Sequence, residues 1–181
     1  RSAGTASAVA VLVAILLLAP LAGASSRLHD DRPASFERGR RDLPKVALTF
    51  DGGGGAGESA QILDVLEQRD VPATFFLTGV YIRDNPDLVR RIAAAGHEVG
   101  NHTWSHPHLT AWDRTRRHDS LPGRGRAFIE RELNRTARAF EAATGRPMTA
   151  LWRAPFGEVN DDLLAWAAAG GWSHVGWSRD D

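Results

Sequence analysis

Residues 45–55 read KVALTFDGGGG, residues 58–69 ESAQILDVLEQR and residues 73–79 ATFFLTG. The first is a short β-rich apolar run, Lys45 to Phe50, ending in Asp51 and four glycines. In the second, Ile62, Leu63, Val65 and Leu66 recur at helical spacing. The third has the unbroken apolar character of a buried strand and is closed by Gly79. Strand, helix, strand at this spacing predicts a βαβ unit and therefore a parallel sheet. The alternation continues outward. Pro86 to Ala95 is a short helix with Pro at its start and Gly96 past its end. His97 to His102 is a weaker strand, Phe128 to Thr144 an amphipathic helix stopped by Gly145 and Pro147. Ala150 to Arg153 is a strand, Asp161 to Ala169 a helix, and His174 to Ser178 a fifth strand. Asp113 to Arg126, basic and aperiodic, reads as an exposed loop. Ligands of such sheets gather beyond the carboxyl ends of the strands, where Asp51, His102, Arg153 and Asp180 all fall.

The chain of 181 residues suffices for one domain with a substantial core. Its 22 basic and 22 acidic residues cancel, which gives no overall attraction to nucleic acid or anionic membrane. There is no cysteine, so disulfides, thiolate metal sites and a thiol nucleophile are excluded, and any metal must be held by His, Asp or Glu. Six Trp against one Tyr suggests core filling first and sugar stacking second. Ala8 to Leu21 is apolar and uncharged and is followed by Ala22-Gly23-Ala24. Residues 1–24 are therefore expected to be a signal peptide or an N-terminal anchor, placing the domain outside the cytoplasmic membrane. Residues 25–42, rich in Arg, Asp and Ser, read as a linker, and residues 43–181 as the folded domain.

Three clusters carry candidate chemistry. Asp51, at a strand end before glycines, suits a general base, though an aspartate capping the next helix or a phosphate-binding glycine loop are the competing readings. His102 and His106, spaced i and i+4 beyond a strand, can turn onto one face of a helical turn and share a metal. His97 and His108 lack that relation and read as structural or incidental. Arg153 places a fixed cation at a strand end before a Pro-set turn, which can direct a backbone N–H at an oxyanion.

Together, T-F-D-G-G at 49–53, A-T-F-F-L-T-G at 73–79, G-H-E-V-G-N-H-T-W-S-H-P at 96–107 and R-A-P-F-G at 153–157 resemble the polysaccharide deacetylases. These include chitin, chitooligosaccharide, peptidoglycan and acetylxylan deacetylases. The resemblance covers about Lys45 to Asp181 and implies an α/β fold, a distorted (β/α) barrel, here C-terminally truncated. It implies that Asp51 is the general base that activates water and that His102 and His106 ligate a divalent metal. Zinc is the first choice, with cobalt, nickel or manganese as alternatives. Arg153 then braces the site and the backbone N–H of Phe156 helps hold the oxyanion, while Gly53, Trp104 and Pro155 are candidate substrate contacts. The implied partner is a carbohydrate polymer or oligosaccharide, in a secreted or envelope-associated setting, with no nucleic acid and no membrane partner beyond the N-terminal segment.

Two departures stand out. The family's usual second acid, a metal ligand, is here Gly52, leaving Asp51, Glu58 or water to fill the position. Residues 176–181, GWSRDD, resemble only the start of the family's fourth motif, and the histidine that protonates the leaving amine has no counterpart; His174, inside a strand, is not an evident substitute. A catalytically impaired glycan binder and an amidohydrolase acting on a small cyclic amide are the alternative functions.

Overall fold

The computed structural model describes residues 35–178. The expected signal or anchor segment and Asp180 lie outside them. Six strands form one sheet: β1 Ser35–Phe36, β2 Thr49–Gly52, β3 Thr74–Leu77, β4 Glu98–Asn101, β5 Leu151–Trp152 and β6 Ser173–Val175. Every pairing is parallel, in the order β1-β6-β5-β4-β3-β2. The helices are α1 Ser59–Arg69, α2 Gly79–Asp84, α3 Pro86–Ala94, α4 Trp112–Thr115, α5 Arg126–Thr144 and α6 Asp161–Ala169, with a 3-10 turn at Pro155–Gly157.

The sheet curls, and one side chain proves it. On a flat sheet β5 and β2, with two strands between them, would lie roughly 14 Å apart. Arg153, directly after β5, nevertheless bonds Thr49 and Asp51 of β2 as well as the Val175 carbonyl of β6. From β2 to β6 the strand order follows the chain, and combined with that curl it is the barrel-like α/β architecture expected.

β3 shows why the sheet is covered on both sides. Phe75 and Leu77 pack outward with Leu63, Leu66, Ile82, Val89 and Ile92, while Phe76, on the opposite face and fully buried, lies inside the curl beneath Arg153. A second cluster of Leu133, Trp152, Leu163, Ala167 and Trp172 packs α5 and α6 on β5.

Several boundaries differ from the sequence reading. Strand β2 begins at Thr49, not Lys45, and Asp51 lies within it. Val46 is 88% exposed, so apolar character alone did not pull the segment into the sheet. Residues 25–42 are not wholly linker, because Ser35–Phe36 pairs with His174 and Val175. Two residues are too few to show a strand period. Helix α2 was not anticipated; Thr78 caps it by accepting the N–H of Tyr81 at 3.1 Å. The 113–126 loop holds the short α4 and is pinned by a Thr110–Ser120 bridge.

Candidate active site

Arg153 organises the floor of the site. It is 4% exposed and its guanidinium stands 4.1 Å over the Phe76 ring. It donates to Asp51 Oδ1 at 2.7 Å, Thr49 Oγ1 at 3.0 Å, Val175 O at 3.0 Å and Gly176 O at 3.2 Å. A guanidinium has five donor hydrogens in a rigid fork, so this environment suits Arg and no other cation. One oxygen of Asp51 is thereby occupied. The other, Oδ2, lies 3.6 Å from His102 Nε2.

His102 is buried, and its Nδ1 lies 2.9 Å from the carbonyl oxygen of Arg153. A carbonyl only accepts, so Nδ1 carries the proton and the Nε2 lone pair faces Asp51. Burial lowers the pKa of His102, with the Asp51 charge opposing, and does the same at His106. Both shifts favour the neutral imidazole, the form that a metal ligand must take. Their centroids are 4.8 Å apart.

The pair meets by a route other than the helical turn that its spacing suggested. Thr103 (φ 65°) and His106 (φ 53°) are both left-handed, a conformation costing roughly 1–2 kcal/mol per residue. Local hydrogen bonds offset it. Asn101 Oδ1 accepts the N–H of Thr103 at 2.9 Å, and Thr103 Oγ1 accepts that of His106 at 3.2 Å. Glu132, reaching over from α5, accepts the N–H groups of Trp104 and Ser105, each at 2.9 Å. Glu132 has no sequence signature, being one acid among several on an amphipathic helix.

The other candidates fall around this centre. Gly53 lies against His106: a Cβ there would come within 3.3 Å of its Cδ2. Phe156 is 53% exposed at φ 58°, in the middle of the turn begun by buried Pro155. Its ring stands edge-on to His106, with centroids 4.7 Å apart. Trp104 packs on Gly79, where a Cβ would sit 2.0 Å from its ring, and beneath Arg135 at 3.6 Å. His97 contacts the Phe75 ring, in keeping with a structural part. His108 is not incidental, for it stacks on Phe156 and bonds buried Glu158. His174 lies within β6 with Nδ1 on Ser35 Oγ at 3.0 Å and its ring against Trp152.

The polysaccharide deacetylase family matches this chain over residues 38–175, which enclose every one of these groups except Ser35 and Gly176. The chain belongs to that family. It is 41% identical over 137 residues to a chitooligosaccharide deacetylase of Sinorhizobium fredii, covering 76% of this chain and 58% of that one. It is 38% identical over 136 residues to a peptidoglycan-N-acetylglucosamine deacetylase of Bacillus cereus, covering 75% and 45%. Its fold superposes with TM-score 0.70 and 29% identity on a family 4 carbohydrate-esterase pseudoenzyme of Bacillus anthracis, covering 83% and 49%. The chain thus spans about half the length of these relatives.

Against that family background the donor set here is specific. Among the described residues no three His, Asp or Glu side chains stand already gathered as a metal cluster. The Oδ2 of Asp51 nevertheless lies 3.6 Å from the Nε2 of His102, whose ring centroid is 4.8 Å from that of His106, and the Nδ1 of His102 is held by a carbonyl, the outer support usual for a metal-binding histidine. These residues fit a divalent ion. Gly52 adds nothing to it: a Cβ there would point at Leu77 Cδ2 (2.7 Å) and the Tyr81 ring (3.5 Å). Glu58 is exposed at the N-terminus of α1.

Proposed function

We propose that the full protein is a metal-dependent hydrolase that removes acetyl groups from an N-acetylated glycan, such as peptidoglycan or chitin oligomers, with O-acetyl groups as possible further substrates. The observation that carries this reading is the asymmetry of Asp51, with Oδ1 fixed by Arg153 and Oδ2 turned toward His102, whose ring stands against that of His106. His102 and His106 would hold the ion, with Asp51 Oδ2 or water in the position that Gly52 leaves without a side chain. When bound, a divalent cation makes water more acidic and an acetamide carbonyl more electrophilic. Asp51 takes a proton from the attacking water on Oδ2. Arg153, paired through Oδ1, orients that carboxylate. The left-handed Phe156 turn presents its N–H to the developing oxyanion. The products are acetate and a free amine on the sugar.

Zinc is the proposed ion, with cobalt, nickel or manganese as alternatives, and the apolar run from Ala8 to Leu21 supports an extracytoplasmic, envelope-associated setting. A second reading, a glycan binder without catalysis, is favoured by Gly52 and by the likeness to a pseudoenzyme. Acetate release from chitooligosaccharides and peptidoglycan, before and after chelation and zinc restoration, tests the proposal. Chelator-sensitive release restored by zinc supports the hydrolase. Glycan binding with no release under any metal establishes the binder.

A further inference from the structure

Glu158 is 1% exposed although it follows directly on a surface turn. Its Oε2 accepts the N–H groups of Leu109 at 2.8 Å and Thr110 at 2.9 Å. Its Oε1 lies 2.7 Å from His108 Nδ1. Burial alone would raise its pKa, but the hydrogen bonds from Thr110, His108 and Leu109 together bring it below the usual carboxylate range. A buried ionised carboxylate with three donors is an anchor, and it ties together the two loops that meet at the site. One follows β4 and carries His102 and His106. The other follows β5 and carries Phe156 and Gly157, both left-handed at φ 58° and 67°.

The anchor reaches the site through stacked rings. As the carboxylate accepts, His108 Nδ1–H donates, which fixes the plane of that imidazole. That plane lies face to face with Phe156, with centroids 4.2 Å apart at 11°. Phe156 in turn presents its ring at 70° to His106, 4.7 Å away. Among the described residues His106 has no outer partner comparable to the carbonyl that holds His102; its ring is bounded by Gly53, His102 and Phe156.

We infer that Glu158 and His108 are positioning residues that act through Phe156, orienting the His106 imidazole for metal and holding the turn whose N–H faces the oxyanion. Neither touches substrate. The inference rests on His102 and His106 being the metal-binding pair.

The test uses the full chain as E158Q, H108A, H108F and, as reference, H106A. Zinc affinity is measured by competition with a chromogenic chelator, and the cobalt(II) absorption spectrum reports coordination geometry. Thermal melts establish that each variant is folded. H108A and E158Q should each weaken zinc binding by about tenfold, the usual effect of losing an outer support, and shift the cobalt bands. Their double variant should lose no more than the weaker single, because both break one chain. H108F restores the stacked face without the bond and should recover part of the loss. Should H108A destabilise the fold, H108F and E158Q carry the test. Wild-type affinity and spectrum in folded H108A and E158Q, with zinc lost in H106A, overturn the positioning role. Zinc retained in H106A overturns the metal reading beneath it, and the two failures are thereby distinguished.

Discussion

At the scale of single residues, the proposed chemistry turns on the two neighbours Asp51 and Gly52. Asp51→Asn keeps the shape that meets Arg153 but cannot take up a proton, so acetate release should fall by ~10²–10⁴-fold with the melting temperature little changed. Zinc titration of the same variant separates two duties: affinity that falls with rate makes Asp51 a ligand as well as a base. An unchanged rate removes it from the mechanism. Gly52 is not at positive φ, so its backbone accepts aspartate. The new Cβ would meet Leu77 Cδ2 at 2.7 Å, the end of a flexible side chain that must turn aside. Gly52→Asp should therefore lower stability by roughly 1–3 kcal/mol through overpacking, and its anionic oxygen should tighten zinc binding by a few-fold only by turning away from Leu77 and Tyr81 toward the histidines. Equal zinc affinity in two folded proteins would show that the carboxylate stays on the Leu77 side or that another group already fills the position.

Between elements, Arg153 is the tie. Its bonds run from the end of β5 to Thr49 and Asp51 of β2, and to Val175 and Gly176 at the end of β6. Removing it unpairs Asp51 and empties a buried volume beside Phe76. Arg153→Ala should cost about 3 kcal/mol, lowering the melting temperature by roughly 6–12 °C, along with loss of activity. Arg153→Lys keeps the charge but not the fork, and should recover only a minor part of that loss. A melting temperature within a degree or so of wild type in Arg153→Ala would mean that the sheet curls without it. The same scale exposes where local reading stops. The i, i+4 spacing of His102 and His106 does bring them together, but on a loop with two left-handed residues, held by Asn101, Thr103 and Glu132. A helical template has no place for such a loop.

For the described domain as a whole, the β1–β6 edge holds a group that ties stability to pH. His174 is 4% exposed, and burial, aided by the Arg153 charge, lowers its pKa from 6.5 to about 4. Its folded value lies below its unfolded one, so between those limits the unfolded chain binds a proton that the folded chain refuses. Stability is therefore retained above pH 6.5 and falls as the pH drops toward 4, by roughly 3 kcal/mol at most. Melting curves across this window should show that decline, and His174→Asn, which can still bond Ser35, should flatten it. A decline of the same depth in His174→Asn would assign the effect to other groups, His102 and His106 first among them, since burial lowers their pKa values from the same starting point.

The sequence by itself determined the alternation of strands and helices, the parallel sheet and the identity of Asp51, His102, His106, Arg153 and Phe156 as the residues to gather. Periodicity and terminator residues are local signals, and the motifs are contiguous, so both can be read along one dimension. Tertiary structure alone decided what those residues do to one another. That Arg153 occupies one oxygen of Asp51 and leaves the other free depends on a sheet curled enough for β5 to reach β2. That Ser35–Phe36 joins the sheet depends on an edge offered by β6. Glu158 and His108 read as an ordinary acid and a stray histidine fifty residues apart. Only the folded chain buries that carboxylate and sets the ring against Phe156, because hydrogen bonding and stacking depend on distance in space, and sequence separation does not record it.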